Sequence, residues 1–445
     1  MCVLIQLSLV VILFAKPLFG YEVPENERAE YFFEELAVSL EKVDDYSPVL
    51  KSKNYDVEIA QFDKIIAQAD RGFHIGLNVA GQSIHEDRPN EDFYHRYRTL
   101  NQVFIKKPVF HWGALKAREE IAKLKIVAAQ KSLKYHKRIL HGDLREAYLR
   151  LITLKYRSDL ANEQLKLAEQ NVNSANERLK VGLGSSLAVE EARAEKLNRE
   201  ILYSETLISL QREKTNFVSL SGYSLPLNLE ISQKFTTFCS EYIPNTDFQI
   251  FAGSLSSEEL ELLMLQSSIE DQEVLVADAS LKPKINLTTS YFQDQVDLAE
   301  GGQNLDRNNF LIGLEANWLI WDSQKSKAQK KAALARKGKV DHRIETKTRE
   351  QREMVNSMVS ELRSIKERIL LTRKLISVAQ SRFDKSSTEL SLNRISPNEH
   401  FLSVVSLDLA KLNNLEMVCR YMVLIDQYEL ALGLPKSDDM TTVGK

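Results

Sequence analysis

Residues 113–180 and 323–392 each carry a seven-residue apolar repeat, a length of regular helix that no globular core can hold. In the first stretch Leu133, Leu140, Ala147, Leu154, Ala161, Ala168 and Ala175 recur every seven residues, and Leu144, Leu151, Ser158, Leu165, Val172 and Leu179 follow four places after Leu140 and its successors. In the second, Val355, Leu362, Ile369, Ile376, Phe383 and Leu390 keep the same period, with Met358, Ile365, Thr372, Ala379 and Ser386 four places before Leu362 and its successors. Such a repeat holds one seam against a partner helix and makes the helices supercoil. Abundant Ala lets neighbouring backbones come close. At a rise of ~1.5 Å per residue, 113–180 reaches about 100 Å. Taken alone, the heptads fit a coiled-coil rod as well as a wall of packed helices.

The two stretches belong to two copies of one unit. Ala67-Gln68-Ala69-Asp70 and Ala277-Asp278-Ala279-Ser280 each precede a short alternating segment. Val109-Phe110-His111-Trp112 matches Trp318-Leu319-Ile320-Trp321, Gly182-Leu183-Gly184-Ser185 matches Asn393-Arg394-Ile395-Ser396, and Leu220-Ser221-Gly222 matches Ala431-Leu432-Gly433. The landmarks fall in the same order at offsets of 209 to 211 residues, the mark of an internal repeat. Each copy reads as helix, strand, polar loop, strand, long helix, hinge and shorter helix. Copy one places these at 48–70, 72–81, 82–97, 98–110, 113–180, 181–186 and 187–222; copy two at 257–280, 284–293, 294–308, 309–321, 323–392, 393–396 and 397–432. The domain layout is therefore a first repeat over 21–222, a linker over 223–255 marked by Pro226, Pro244 and Gly253, a second repeat over 256–434 and a tail over 435–445.

Residues 1–20 stand apart. Val3 to Phe14 is an apolar run too short to span a bilayer but suited to the core of a signal peptide, with Gly20 as a small residue for cleavage. Cys2 precedes that run, so it does not read as a lipid-attachment cysteine. Beyond it only Cys239 and Cys419 remain, which make neither a disulfide framework nor a metal site. The net charge of -3 gives no pull toward nucleic acid. Gly182-x-Gly184 follows a helix rather than a strand and lacks a third Gly, so it is not a nucleotide loop. His85, Glu86, Asp87, Glu91, Asp92 and His95 scatter over a polar loop and fit a solvated surface better than a metal site. No triad, His-Glu-x-x-His or paired-Cys arrangement is present; the expectation is a chain that is no enzyme and needs no cofactor.

The strands shift the balance from rod toward channel. Phe73, Ile75, Leu77 and Val79 alternate with His74, Gly76, Asn78 and Ala80; Ile285, Leu287, Thr289 and Tyr291 alternate with Asn286, Thr288, Ser290 and Phe292. In the fourth strand Phe310, Ile312, Leu314, Ala316, Trp318 and Ile320 face one way and Gly313, Glu315 and Asn317 the other. Period-two alternation with aromatics toward the ends is the pattern of a membrane barrel strand, and it sets Glu315 on the lumen side. Four strands cannot close a barrel, and open edges are not tolerated in lipid. The strands must be pooled with those of other copies. Three copies supply twelve, although the count by itself does not choose three over four.

With these features together the chain resembles the TolC family of outer-membrane efflux and secretion channels over 30–435. The residues that carry the resemblance are Arg178 to Ala192 (Arg-Leu-Lys-Val-Gly-Leu-Gly-Ser-Ser-Leu-Ala-Val-Glu-Glu-Ala), Leu220-Ser221-Gly222, the Asn-Trp-Leu-Ile-Trp-Asp segment at 317–322 and Ser47-Pro48-Val49-Leu50. Asn393 stands where the family usually has Gly. The resemblance implies a mainly α chain with a small membrane β-barrel: a homotrimer with a twelve-stranded barrel in the bacterial outer membrane and a long α-helical coiled-coil barrel in the periplasm. It implies a passive exit duct served by a periplasmic membrane-fusion adaptor and an inner-membrane pump, with no nucleic acid involved. It places Glu399 at the pore entrance, with Glu190 and Glu191 at the equivalent turn of copy one. Val181, Gly182, Leu183, Gly184 and Ser185, with Asn393, Arg394, Ile395 and Ser396, would form the tips that meet the adaptor. The competing account is a coiled-coil structural scaffold without a pore.

Overall fold

The computed structural model describes residues 24–87, 89, 94–222, 228–244, 257–298, 305–392 and 394–433. The expected signal peptide, parts of the linker, the tail and Asn393 lie outside the described residues. After a short 3₁₀ turn at Glu25–Glu27 the elements are α1 (Ala29–Phe32), α2 (Glu34–Tyr46), α3 (Pro48–Ala69), β1 (His74–Glu86), β2 (Tyr94–Phe110), α4 (Ala114–Lys180), α5 (Ser186–Ser221), α6 (Gln233–Glu241), α7 (Glu258–Ala279), β3 (Lys284–Leu298), β4 (Leu305–Asn317), α8 (Lys325–Ser391) and α9 (Pro397–Leu432). The chain is mainly helical with one four-stranded antiparallel sheet, ordered β1-β2-β3-β4. No helix among the described residues is long and apolar enough to cross a membrane. The helices α3 and α7 both have 22 residues, α4 and α8 both 67, and α5 and α9 both 36.

Two expectations about the sheet need correction. The polar segments 82–97 and 294–308 are largely strand rather than loop: β1 runs on to Glu86, β2 begins at Tyr94, β3 reaches Leu298 and β4 begins at Leu305. Ladder hydrogen bonds come from the backbone, so polar side chains such as Ser83 opposite Tyr97 do not end the pairing. At the other end β4 stops at Asn317, not Trp321. Trp318 donates its indole N–H to the Leu281 carbonyl at 3.2 Å, and the chain then turns through Ser323 and Gln324, both at positive φ, into α8.

One unit comprises Pro48–Lys137 and Ser256–Glu350, and so holds the sheet, α3, α7 and the first parts of α4 and α8. Carboxylates and cations tie its helices together: Asp278 of α7 accepts from Lys330 of α8 at 2.6 Å, and Arg71 meets Glu119 at 2.5 Å.

The other unit comprises Met1–Ser47, Arg138–Leu255 and Gln351–Lys445. Here the heptad positions are the core: Leu144, Ala147, Leu151, Ala161 and Ala168 of α4 are buried, as are Val355, Leu362, Ile369 and Ala379 of α8. Between these segments runs α9, antiparallel to α4. Ala168 packs with Phe401 and Val405, Arg157 meets Glu416 at 2.5 Å, and Ala379 packs with Leu407 and Ala410. A second core joins α1, α2, α4 and α6. Phe33 contacts Tyr148 and Phe235 with ring centroids 5.2 and 4.8 Å apart. Beside it Arg145 clasps Glu30 with Nη2 at 2.7 Å and Nε at 3.0 Å, and lies 3.7 Å from Asp426. Burial works against the Arg145 charge, but Asp426, Glu30 and Glu429 outweigh it and hold the guanidinium above its ordinary value. Cys239 and Cys419 are free buried thiols, and burial pushes Cys419 up to about 12.

Candidate functional site

The sheet has two unlike faces. Because side chains alternate along a strand, the pairing register assigns each residue to a side. Ile75, Leu77 and Val79 share a face with Val103 and Ile105, with Leu287, Thr289 and Tyr291, and with Phe310, Ile312 and Leu314. Those of the two edge strands are among the most exposed apolar groups described: Ile75 is 71%, Ile312 68% and Leu314 72% exposed. Phe73, Phe110, Trp112 and Trp318 cluster at the end of the sheet where the helices begin, and the Trp112 indole donates to the Pro283 carbonyl at 2.7 Å. An apolar band edged by aromatics is a surface built for hydrocarbon, not water.

The opposite face is polar and charged. Arg98 Nε and Nη2 donate to the two carboxylate oxygens of Asp294 at 2.7 and 2.9 Å, a fork geometry that fixes both side chains. Lys106 lies 3.6 Å from Glu315, which also accepts from Asn317 at 2.8 Å. His111 and Asn286 are 2.9 Å apart. Glu315 is therefore on the side away from the apolar band. The strands β1 and β4 are the two edges of the sheet.

Both hinges lie at one end of the helical unit, where α4 finishes and α9 starts. After α4, Gly182 takes φ 75°, its N–H bonds the Leu179 carbonyl at 3.1 Å, and Leu183 N–H bonds the Arg178 carbonyl at 2.9 Å. This paired closure is a Schellman cap, and its left-handed residue favours Gly. Gly184 then passes so close that a Cβ would stand 3.0 Å from the Leu179 nitrogen. Ser185 caps α5, accepting from Ala188 N–H at 3.1 Å. The second hinge repeats the long closure, Arg394 N–H to the Glu389 carbonyl at 2.9 Å. Val181 and Leu183 are 70% and 81% exposed, while Ile395 and Ser396 are half-buried.

The acidic candidates do different work locally. Glu399 completes a capping box: Ser396 Oγ accepts from Glu399 N–H at 3.2 Å, and the Glu399 carboxylate accepts from Ser396 N–H at 2.8 Å. Glu190 pairs with Arg193 at 3.0 Å, and Glu191 is exposed beside it. Leu187, Leu392 and Leu402 add exposed apolar surface to the same end.

Known proteins share the fold and part of the sequence. The model of the outer membrane efflux protein family matches residues 47–222. The outer membrane efflux protein BepC of Brucella suis is 22% identical over 292 residues, an alignment spanning 65% of this chain and 62% of that protein's length. The Campylobacter jejuni CmeC outer membrane channel matches with a TM-score of 0.78 at 12% identity, covering 96% of each chain. The outer membrane protein VceC of Vibrio cholerae matches with a TM-score of 0.73 at 16% identity, covering 92% of this chain and 99% of that one. The fold is that of the TolC-like outer-membrane channels. The family match and the relative place the chain in the outer membrane.

Some residues of the site escaped the sequence pattern. Arg98 and Asp294 sit 196 positions apart at the edges of segments that read as loops, and nothing local announces their fork. The one available signal was parity: each occupies the polar side of its strand's alternation.

Proposed function

We propose that three copies of this chain pool their sheets into a twelve-stranded barrel and form the exit duct of an efflux or secretion system, a passive route that performs no reaction. The observation that carries this reading is a four-stranded sheet with two open edges, one apolar exposed face and one face of ion pairs. Unpaired edges are excluded from hydrocarbon, and the smallest membrane barrels have eight strands. A soluble scaffold would have no use for a sheet that turns Ile75, Leu77, Ile312 and Leu314 outward.

The equal helix lengths support a duplicated unit, with 21–222 and 256–434 as its copies, 223–255 as the linker and 435–445 as a tail. Residues Val181 to Ser185 and Asn393 to Ser396 form the tips that meet a periplasmic membrane-fusion adaptor, itself coupled to an inner-membrane pump. The exposed side chains of Val181 and Leu183 support that role, because apolar groups gain by leaving water. Glu399, with Glu190 and Glu191, lines the entrance, and Glu315 lines the barrel lumen.

Light scattering of the particle purified in mild detergent tests the reading. A mass of three chains, extracted only by detergent and conducting ions in a planar bilayer, is expected; a water-soluble monomer or dimer would leave the coiled-coil scaffold as the better account. Glu399→Gln keeps an acceptor for the capping box while removing the charge. Its cation selectivity should fall if the carboxylate rings the entrance, and unchanged selectivity would leave Glu399 as a helix cap alone.

A further inference from the structure

The polar face of the sheet also carries apolar side chains: Leu100 and Val296 lie among the charged groups toward its far end, and a bulkier group lies nearer the helices. Gly76, Phe104, Ser290 and Leu311 form one register row across the four strands, and Phe292 lies in the next row beside Gln102. Charged rows flank this patch, with Lys106 and Glu315 on one side and Arg98 and Asp294 on the other. The Phe104 ring packs over the Gly76 backbone so closely that a Cβ at position 76 would stand 2.3 Å from Phe104 Cζ and 2.7 Å from Cε1. No side chain fits at 76 while the ring keeps this place. Leu311, in the same row, is 57% exposed.

We infer that Phe104, Leu311 and Phe292 form an apolar collar inside the lumen, and that Gly76 sets the collar's clear width by giving the Phe104 ring room against the wall. This rests on the barrel reading above. Eight-stranded barrels are filled by their own side chains, whereas barrels of sixteen or more strands leave an aqueous channel. In a lumen of intermediate size the bulk of a single ring, repeated in every copy, governs the opening. Three apolar groups held among ion pairs are poorly solvated and gain by contact with an apolar solute. The cargo class that the collar suits is organic solutes with apolar surface, rather than strongly hydrated ions or sugars.

Single-channel conductance of the full-length oligomer tests this, with block by tetrabutylammonium compared with block by tetramethylammonium, which carries the same charge on less apolar surface. Phe104→Ala should raise conductance and narrow the difference in block. Gly76→Ala should lower conductance by pushing the ring into the lumen, and the double variant should regain at least the wild-type value. Val79→Ala, on the opposite face, serves as the control that changes neither. If wild type conducts and Phe104→Ala matches it in conductance and in block, the collar is refuted, and this result holds even where Gly76→Ala fails to assemble. If wild type does not conduct, the barrel reading itself is what fails.

Discussion

The sheet and the helical core around Arg145 obey opposite rules. In the helical core Phe33, Tyr148, Phe217 and Phe235 are withdrawn from water, and charge enters as buried ion pairs, Arg145 with Glu30 and Asp426 and Arg28 with Glu429. In the sheet the apolar groups stand outward, and the charges of Arg98, Asp294, Lys106 and Glu315 share the other face. The difference shows one chain fitted to two solvents. Hydrophobic burial organises the helical core, whereas the sheet leaves its apolar face exposed, to be covered on the barrel reading by lipid and neighbouring strands. Strength is therefore stored differently: in side-chain packing in the helical core, and in backbone pairing plus environment in the sheet.

The largest expected effect tests the core side of this contrast. Arg145→Met strands Glu30 and Asp426 without their buried partner and should cost about 3–5 kcal/mol, read as a lower midpoint of thermal unfolding followed by helical circular dichroism. The sheet should answer to its surroundings instead. Leu77→Arg, at the middle of the apolar band, should cost about 2–4 kcal/mol in a bilayer, measured by urea unfolding from vesicles. Asn78→Arg, one residue along and on the other face, should change little. Equal losses from the two would break the assignment of faces.

Smaller changes probe the connections. Ser185→Ala removes the acceptor for Ala188 N–H at the start of α5 and should cost about 1 kcal/mol, detected as faster local hydrogen exchange at the hinge. The smallest effect concerns Asp278. Its hydrogen bonds from Lys330, first, and Lys282 hold its carboxyl down at about 2. A folded value below the unfolded one, roughly 3.9, means the contribution is fully present above the unfolded value and is lost as pH falls through about 2. Because the group is a third exposed, the contribution is under about 1 kcal/mol. Asp278→Asn should therefore flatten the dependence of the unfolding midpoint between pH 4 and 2, and an unchanged slope would show that the pair adds nothing.

Much of the architecture was legible in single residues and their spacing. Most heptad positions from Leu140 to Ala168 and from Val355 to Ala379 are buried, although Leu154, Leu165, Met358 and Ile376 are only partly so and Tyr148, Ile152 and Val359 are buried off the pattern. The period of a helix is a property of the local backbone and leaves its mark in the side chains. The strand alternation of β1 and β4 foretold the two faces for the same reason. Cap chemistry was also local: Gly182 and Ser185 mark the end of α4 and the start of α5. Strand ends were not legible, because ladder bonds ignore side-chain polarity and ran past Gln82 and Asp294 into segments that look like loops.

Register was decided by the tertiary structure alone. A slip of one residue would turn every side chain to the other face, and the alternation forbids it. A slip of two leaves the alternation intact, so the pattern in β1 or β2 taken separately does not distinguish Gly76 opposite Phe104 from Gly76 opposite Gln102. The choice is made by backbone pairing between distant segments, which sets Arg98 on Asp294 across 196 residues and Phe104 over Gly76, where no Cβ displaces the ring. The sequence thus determined the kinds of element and their faces, and the assembled sheet determined which side chains meet.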